Sequence, residues 1–157
     1  MTKKWETYEQ VATELLCRIQ DQLGLSSVEP KQVVEGQATS WEIDAKGTRT
    51  GTGAIVVIEC RRYPKSRLNQ KEVAAIGRTI VDLGADGGIV VTPIGLQKGA
   101  RALAKADNIV TVKLPADSSA SSYILRFLNT VMAGDFVEQI NGEVAVVGLD
   151  IRTAVDD

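Results

Sequence analysis

The sequence predicts an α/β sandwich in which helices flank a mixed central β-sheet. Three features point there. The unbroken run Ala54-Ile55-Val56-Val57-Ile58 reads as a strand buried on both faces. An alternating segment, Ser40 to Ala45, precedes it across a glycine-rich stretch, as in a hairpin that feeds a central strand. After it the pattern runs strand–helix–strand–helix–strand, an order that lays helices over a sheet.

Each element follows from its own spacing. From Thr7 to Leu23, Tyr8, Val11, Leu15, Leu16, Ile19 and Leu23 recur three and four residues apart, an amphipathic helix with Gly24 as its stop. A polar stretch reaches to about Gln32, and an extended segment is expected near Val33-Val34. Trp41, Ile43 and Ala45 then alternate against Glu42 and Asp44, and Gly47 to Gly53 reads as the returning turn. Gln70 to Leu83 is helical, with Val73, Ile76, Ile80 and Leu83 on one face and Gly84-Ala85-Asp86-Gly87-Gly88 ending it. Ile89 to Thr92 is a buried strand, Leu96 to Ala106 a helix, and Ile109 to Leu114 a further strand. The chain so far, residues 1–114, forms one domain. The remainder, 115–157, reads as an extension packed on that domain or in a dimer interface. It contains a helix over Tyr123 to Met132 and a strand over Glu143 to Leu149.

Composition narrows the chemistry. With 157 residues, 44% of them hydrophobic, the chain fits a single core. Its apolar runs are too short to span a bilayer, and no apolar stretch follows the first lysines as in a secretory signal. Cys17 and Cys60 fall on a helix and a strand, which suggests reduced thiols and a cytoplasmic protein. There is no histidine. That excludes Ser-His and Cys-His nucleophiles, histidine zinc sites and a histidine general base. Catalysis would have to come from carboxylates, Lys or Arg and a hard cation such as magnesium. The net charge of -2 does not suggest a polyanion binder. Yet Arg61-Arg62-Tyr63-Pro64-Lys65-Ser66-Arg67, with Lys71 beyond, has no acidic residue until Glu72 and could neutralise phosphates. The plain alternative is a solvated loop face.

Carboxylates gather at two expected strand ends. Asp44 closes the first strand of the hairpin and Glu59 closes the central one, so both come within reach of one cation. Phosphodiester hydrolysis needs such a cation to neutralise the scissile phosphate, activate water and stabilise the leaving oxygen. Arg61, two residues past Glu59, falls on the same face and could hold the phosphate or the attacking water. The structural alternative is that Glu59 simply pairs with Arg61, Arg62 or a helix-end lysine, since a buried unpaired carboxylate is costly. Cys60 should point to the opposite face and Cys17 should be buried. Trp5 and Trp41 read as core or edge packing before base stacking. Gly51-Thr52-Gly53 precedes a strand instead of joining a strand to a helix, which argues against a nucleotide loop.

From Trp5 to Leu114 the chain resembles the Mrr-like branch of restriction-endonuclease catalytic domains, within the PD-(D/E)XK nuclease superfamily. The resemblance is carried by Tyr8-Glu9 and Glu14-Leu15-Leu16 on the first helix, and by Trp41-Glu42-Ile43-Asp44 in a strand. The signature strand end follows as Ile58-Glu59-Cys60-Arg61-Arg62-Tyr63, then the G-A-D-x-G block from Gly84 to Thr92. A small-residue helix, Ala100 to Ala106, and the strand Ile109 to Leu114 complete it.

The resemblance implies a restriction-endonuclease-like sandwich and a Mg²⁺- or Mn²⁺-dependent endonuclease acting on DNA as a homodimer. It makes Asp44 and Glu59 the metal ligands, with Glu9 facing the same site and Gln70 a minor neighbour. Arg61, Arg62, Lys65, Arg67 and Lys71 would contact DNA. One departure stands out: the family's usual lysine is Arg61, which keeps the charge but cannot deprotonate near neutral pH. The alternative function is therefore a nuclease-fold module that binds DNA or a protein partner without cutting.

Overall fold

The β-branched run forms the centre of the sheet, as its burial on both faces requires. The computed structural model describes residues 8–18, 20–61, 66–113, 137–140 and 143–146. In chain order these are α1 (Tyr8–Arg18), β1 (Leu25–Glu35), β2 (Ser40–Arg49), β3 (Ile55–Cys60), α2 (Gln70–Leu83), β4 (Gly87–Thr92), α3 (Lys98–Ala106), β5 (Ile109–Lys113), β6 (Val137–Ile140) and β7 (Glu143–Val146). The strands make one seven-stranded sheet in the order β1-β2-β3-β4-β5-β7-β6. β1, β2 and β3 form an antiparallel meander, whereas β3, β4, β5 and β7 run parallel. β6 returns antiparallel to β7.

Alternation along β3 divides the core between two layers. Val56, Ile58 and Cys60 pack with Val11, Ala12, Leu15 and Leu16 of α1. Val57, on the other face, packs with Val73, Ile76 and Ile80 of α2 and Ala100 and Ala104 of α3. The helices are therefore split across the sheet, and the α/β sandwich with a mixed sheet is the observed architecture. α2 opens on a capping box in which Asn69 and Glu72 satisfy each other's backbone N–H. It closes at Gly84 in the left-handed region (φ 63), which glycine adopts without a Cβ penalty.

Several expectations need correction or limits. α1 ends at Arg18, and residues 20–24 form turns, with Ile19 outside the described residues. The segment read as polar coil up to Gln32 is instead β1, eleven residues from Leu25. It is an edge strand with only Leu25 fully buried and Pro30 within it, so neither apolar density nor composition marks it. Gly47 belongs to β2 and not to the turn: a Cβ there would come 3.2 Å from the Leu25 side chain and 3.3 Å from Val56. Cys17 is only half-buried, its thiol donating to the Val28 carbonyl at 3.4 Å, because β1 passes beside it without covering it. β6 was not anticipated, while β7 starts where a last strand was expected. The helix expected over Tyr123 to Met132, and Trp5, lie outside the described residues.

A buried carboxylate ties the meander to the α2 layer. Asp82, 3% exposed, accepts hydrogen bonds from the Trp41 indole N–H (2.7 Å) and from the backbone N–H groups of Ala38 (2.8 Å) and Thr39 (3.2 Å). The indole bond first, then the two backbone bonds and the Arg78 charge, hold its carboxyl below the usual range despite burial. Gly36 sits under this contact, where a Cβ would overlap the Asp82 carboxylate and crowd the Thr39 carbonyl at 2.6 Å. Gly36→Ala should therefore lower the urea unfolding free energy by about 2 kcal/mol, with the m-value unchanged. Asp82→Ala, which strands three donors, should lower the melting temperature as well.

Candidate active site

Asp44 and Glu59 meet at the seam where the β2–β3 ladder ends. The last paired residues there are Ala45 and Ile58, so Asp44 and Glu59 are level one step further on. At that step β2 breaks its alternation. Ala45 enters the α1-side core, whereas Ile43, two residues earlier, enters the α2–α3 core. The Asp44 carboxylate fills the gap left in the ladder, accepting the Cys60 backbone N–H at 2.8 Å. Asp44 thus lies inside β2, which runs from Ser40 to Arg49, and not at its end. What ends at Asp44 is the pairing with β3.

Glu59 is the buried member of the pair, its side chain 15% exposed. Burial first, then the Asp44 charge and a hydrogen bond with Asp44, raise its pKa from 4.5 to about 7 against the lowering effect of Arg61 and Lys31. The Arg61 guanidinium (Nη1) lies 3.7 Å from Glu59 Oε2 and is 41% exposed. Its backbone N–H donates to the Val91 carbonyl at 2.8 Å, which anchors its main chain to β4. The pairing of Glu59 with Arg61, one of the two readings of the sequence, is present alongside the Asp44 contact. Cys60 is buried on the α1 side, and burial pushes its thiol pKa up, so it is inert there.

The remaining candidates sit at different distances from this pair. Glu9, in the first turn of α1, is half-buried, and its charge acts on Cys60 and Lys31; no contact with Asp44 or Glu59 is formed. Gln70 packs against α3, where a Cβ at Gly99 would come 2.7 Å from its amide. Arg67 and Lys71 are exposed beside it, and Arg62 and Lys65 lie outside the described residues. Lys31 was overlooked. It stands between Pro30 and Gln32, which pair with Ala45 and Ile43, so it is level with Asp44. It contacts Glu42 at 3.0 Å, and its charge acts on Asp44, Glu9 and Glu59. Only the β1–β2 register could have found it. No group of three or more carboxylate or thiol side chains that could hold a metal ion occurs among the described residues.

The fold and family are matched elsewhere. The model of the restriction endonuclease family of Mrr catalytic domains matches residues 3–116. A crystallised protein of unknown function is 19% identical with a TM-score of 0.55, covering 66% of this chain and 56% of its own. A repair endonuclease from Pyrococcus abyssi is 20% identical with a TM-score of 0.47, covering 73% and 50%. EndoMS in a complex with double-stranded DNA is 18% identical with a TM-score of 0.46, covering 75% and 49%. The chain thus spans about half the length of these solved structures. No curated protein matches it. With the family model covering 3–116 of its 157 residues, the chain belongs to this restriction endonuclease family, and its sheet and flanking helices are restriction-endonuclease-like.

The raised pKa of Glu59 sets a testable pH dependence. A proton held in the folded state up to pH of about 7, but lost from the unfolded chain near 4.5, stabilises the fold fully below 4.5. That contribution is lost as pH rises through the interval to about 7. The melting temperature without metal should therefore fall across this window, and Glu59→Gln should flatten the fall. Added Mn²⁺ should raise the melting temperature of the wild type more at pH 8 than at pH 5, because the carboxylate binds it only when ionised.

Proposed function

We propose that this member of the restriction endonuclease family is a divalent-metal-dependent endonuclease that hydrolyses DNA phosphodiester bonds. The observation that carries the reading is the juxtaposition of Asp44 and Glu59 at the β2–β3 seam with a guanidinium 3.7 Å away. Two carboxylates crowded until one holds its proton to about pH 7 suit a hard divalent cation, which would remove the repulsion. Magnesium and manganese fit such a donor set, since Mg²⁺ is commonly held by one or two carboxylates together with substrate phosphates and waters. Asp44 and Glu59 would hold it. When bound, such an ion supplies charge against the scissile phosphate and acidity to a water beside it.

The protein's own groups have separate tasks in this reading. The Cys60 N–H fixes the Asp44 carboxylate, so one ligand is oriented before any cation arrives. Arg61, anchored through Val91, offers its guanidinium to a non-bridging phosphate oxygen and leaves proton transfer to water. Lys31 adds positive charge from the edge strand, and Glu9 tempers it from α1. The exposed Arg67 and Lys71, with Arg62 and Lys65 of the same run, meet flanking phosphates. The enzyme would act as a homodimer in the cytoplasm, each subunit attacking one strand.

A second reading is favoured by the Arg61–Glu59 contact itself. A guanidinium that neutralises Glu59 in place of a cation would leave a module that binds DNA or a protein without cutting it. Plasmid nicking with Mg²⁺ or Mn²⁺ separates the two. For the enzyme, the wild type nicks, Glu59→Ala abolishes nicking, Arg61→Ala slows it at least about ten-fold, and Arg61→Lys keeps or raises it. An inert wild type whose Arg61→Lys variant cuts, with Glu59→Ala in that background stopping the cut, marks the binding module.

A further inference from the structure

Cations on this protein are sorted by layer. Arg18, Lys31, Lys46, Arg49 and Arg61, on α1 and the meander side, each face a carboxylate, as does Arg78 near the end of α2. Arg67, Lys71, Lys98, Arg101 and Lys105 form no ion pair among the described residues. All five lie on α3 or at the entry to α2, the two helices that cover one face of the sheet. Every one except the half-buried Arg101 is exposed. The first turns of the two helices abut, since Gln70 closes on the Gly99 backbone, so Lys71 and Lys98 flank a single contact. Both helices start at the carboxyl ends of β3 and β4, the edge that carries Glu59 and Arg61.

The spacing has direction. Lys98, Arg101 and Lys105 are three and four residues apart, which aligns them on one helix face beside the stripe of the buried Ala100 and Ala104. No acidic residue occurs within α3. The one acid in the first turn of α2, Glu72, is turned to the Asn69 backbone N–H and does not answer Lys71. Seven residues of helix rise by about 10 Å, the axial length over which one strand of duplex DNA presents about three phosphates. Unpaired charge costs the isolated protein stability through repulsion, so its segregation on one face calls for an external anion.

We propose that the α2–α3 face is a second DNA-backbone contact, in which Lys71, Lys98, Arg101 and Lys105 grip the phosphates flanking the scissile one and set the register of the duplex over Asp44 and Glu59. The proposal rests on the reading of that site as one that acts on DNA. It extends the basic run from Lys71 onto α3 through Lys98, Arg101 and Lys105, which that run does not include.

The test is binding of a fluorescently labelled DNA duplex at a series of salt concentrations, with Ca²⁺ replacing Mg²⁺ to withhold cutting. Lys98→Glu combined with Lys105→Glu touches no side-chain hydrogen bond or ion pair among the described residues, so the fold should persist by melting temperature. Lys98→Ala with Lys105→Ala serves as the milder pair. The expected result is at least about ten-fold weaker binding and a log K against log salt slope shallower by about 2, near 0.9 per lost phosphate contact. Arg18→Glu with Lys46→Glu, an equal charge change on the other layer, should leave the slope as in the wild type. If the Lys98/Lys105 variants keep the wild-type slope, or the two charge reversals act alike, the inference fails, even where the wild type nicks plasmid. If the wild type binds no duplex, the inference fails together with the DNA reading. A wild type that never nicks, but whose binding falls as expected on charge reversal, sinks the endonuclease and leaves this contact standing.

Discussion

A single hydrogen bond from the Cys60 backbone N–H to the Asp44 carboxylate organises the functional edge of this domain. Up to Ala45 and Ile58 the antiparallel ladder satisfies its own backbone groups. Beyond that pair β2 turns its side chains over, sending Ile43 to the α2–α3 core while Ala45 stays on the α1 side. The turnover removes a backbone acceptor from Cys60 just where β3 is buried and paired with β4 on its other edge. A side-chain carboxylate takes that place. The same carboxylate, held there, stands against Glu59 and helps to raise its pKa. The repair of a broken ladder and the assembly of an acidic pair are one event.

Legibility in the sequence followed burial. β3, β4 and β5 lie between two layers, so their apolar runs were continuous, and α2 was legible to the residue because its apolar face and Gly84 agreed. Of β1 only the extended end near Val33-Val34 was legible, because an edge strand carries few apolar residues and tolerates Pro30. That one omission hid Lys31, whose place beside Asp44 depends on the β1–β2 register. Asp44, Glu59 and Arg61 were readable because the pattern lies on two adjoining strands. Gln70 was readable as a position and not as a role, for its partner Gly99 belongs to a helix about thirty residues on. The Asp82 contact was invisible for the same reason: its donors at 38 and 39, between β1 and β2, and at 41, in β2, lie about forty residues earlier in the chain.

That contact has a bearing on the site through β2. Trp41 is three residues before Asp44 on the same strand, and its indole is fixed to α2 by Asp82. The strand is therefore pinned on both sides of its turnover, to α2 at Trp41 and to β3 at Ala45. A ligand that must stay oriented against repulsion from a neighbouring carboxylate needs such support, since the surrounding fold has to absorb the strain. The buried Asp82 carries its own compensation in three donors, whereas Glu59 has one distant guanidinium and a second carboxylate. One buried acid is finished structure. The other, in the proposed function, is a ligand for a cation.

How firmly Arg61 meets Glu59 decides between cutting and binding. Its contact with Glu59 is a single 3.7 Å approach, longer than a charge-assisted hydrogen bond, and its side chain is 41% exposed. A half-exposed pair of this geometry is screened and contributes little. It does not cancel the effects of burial and of Asp44, because the pKa of Glu59 stays near 7 with Arg61 in place. In the proposed function Asp44 and Glu59 would hold a divalent ion that supplies twice the charge of the guanidinium, and the half-exposed Arg61 side chain would be available to a phosphate. The geometry thus favours Arg61 as a group displaced by the cation over one that substitutes for it. On that argument arginine in place of lysine alters how the phosphate is held before it alters whether the metal binds.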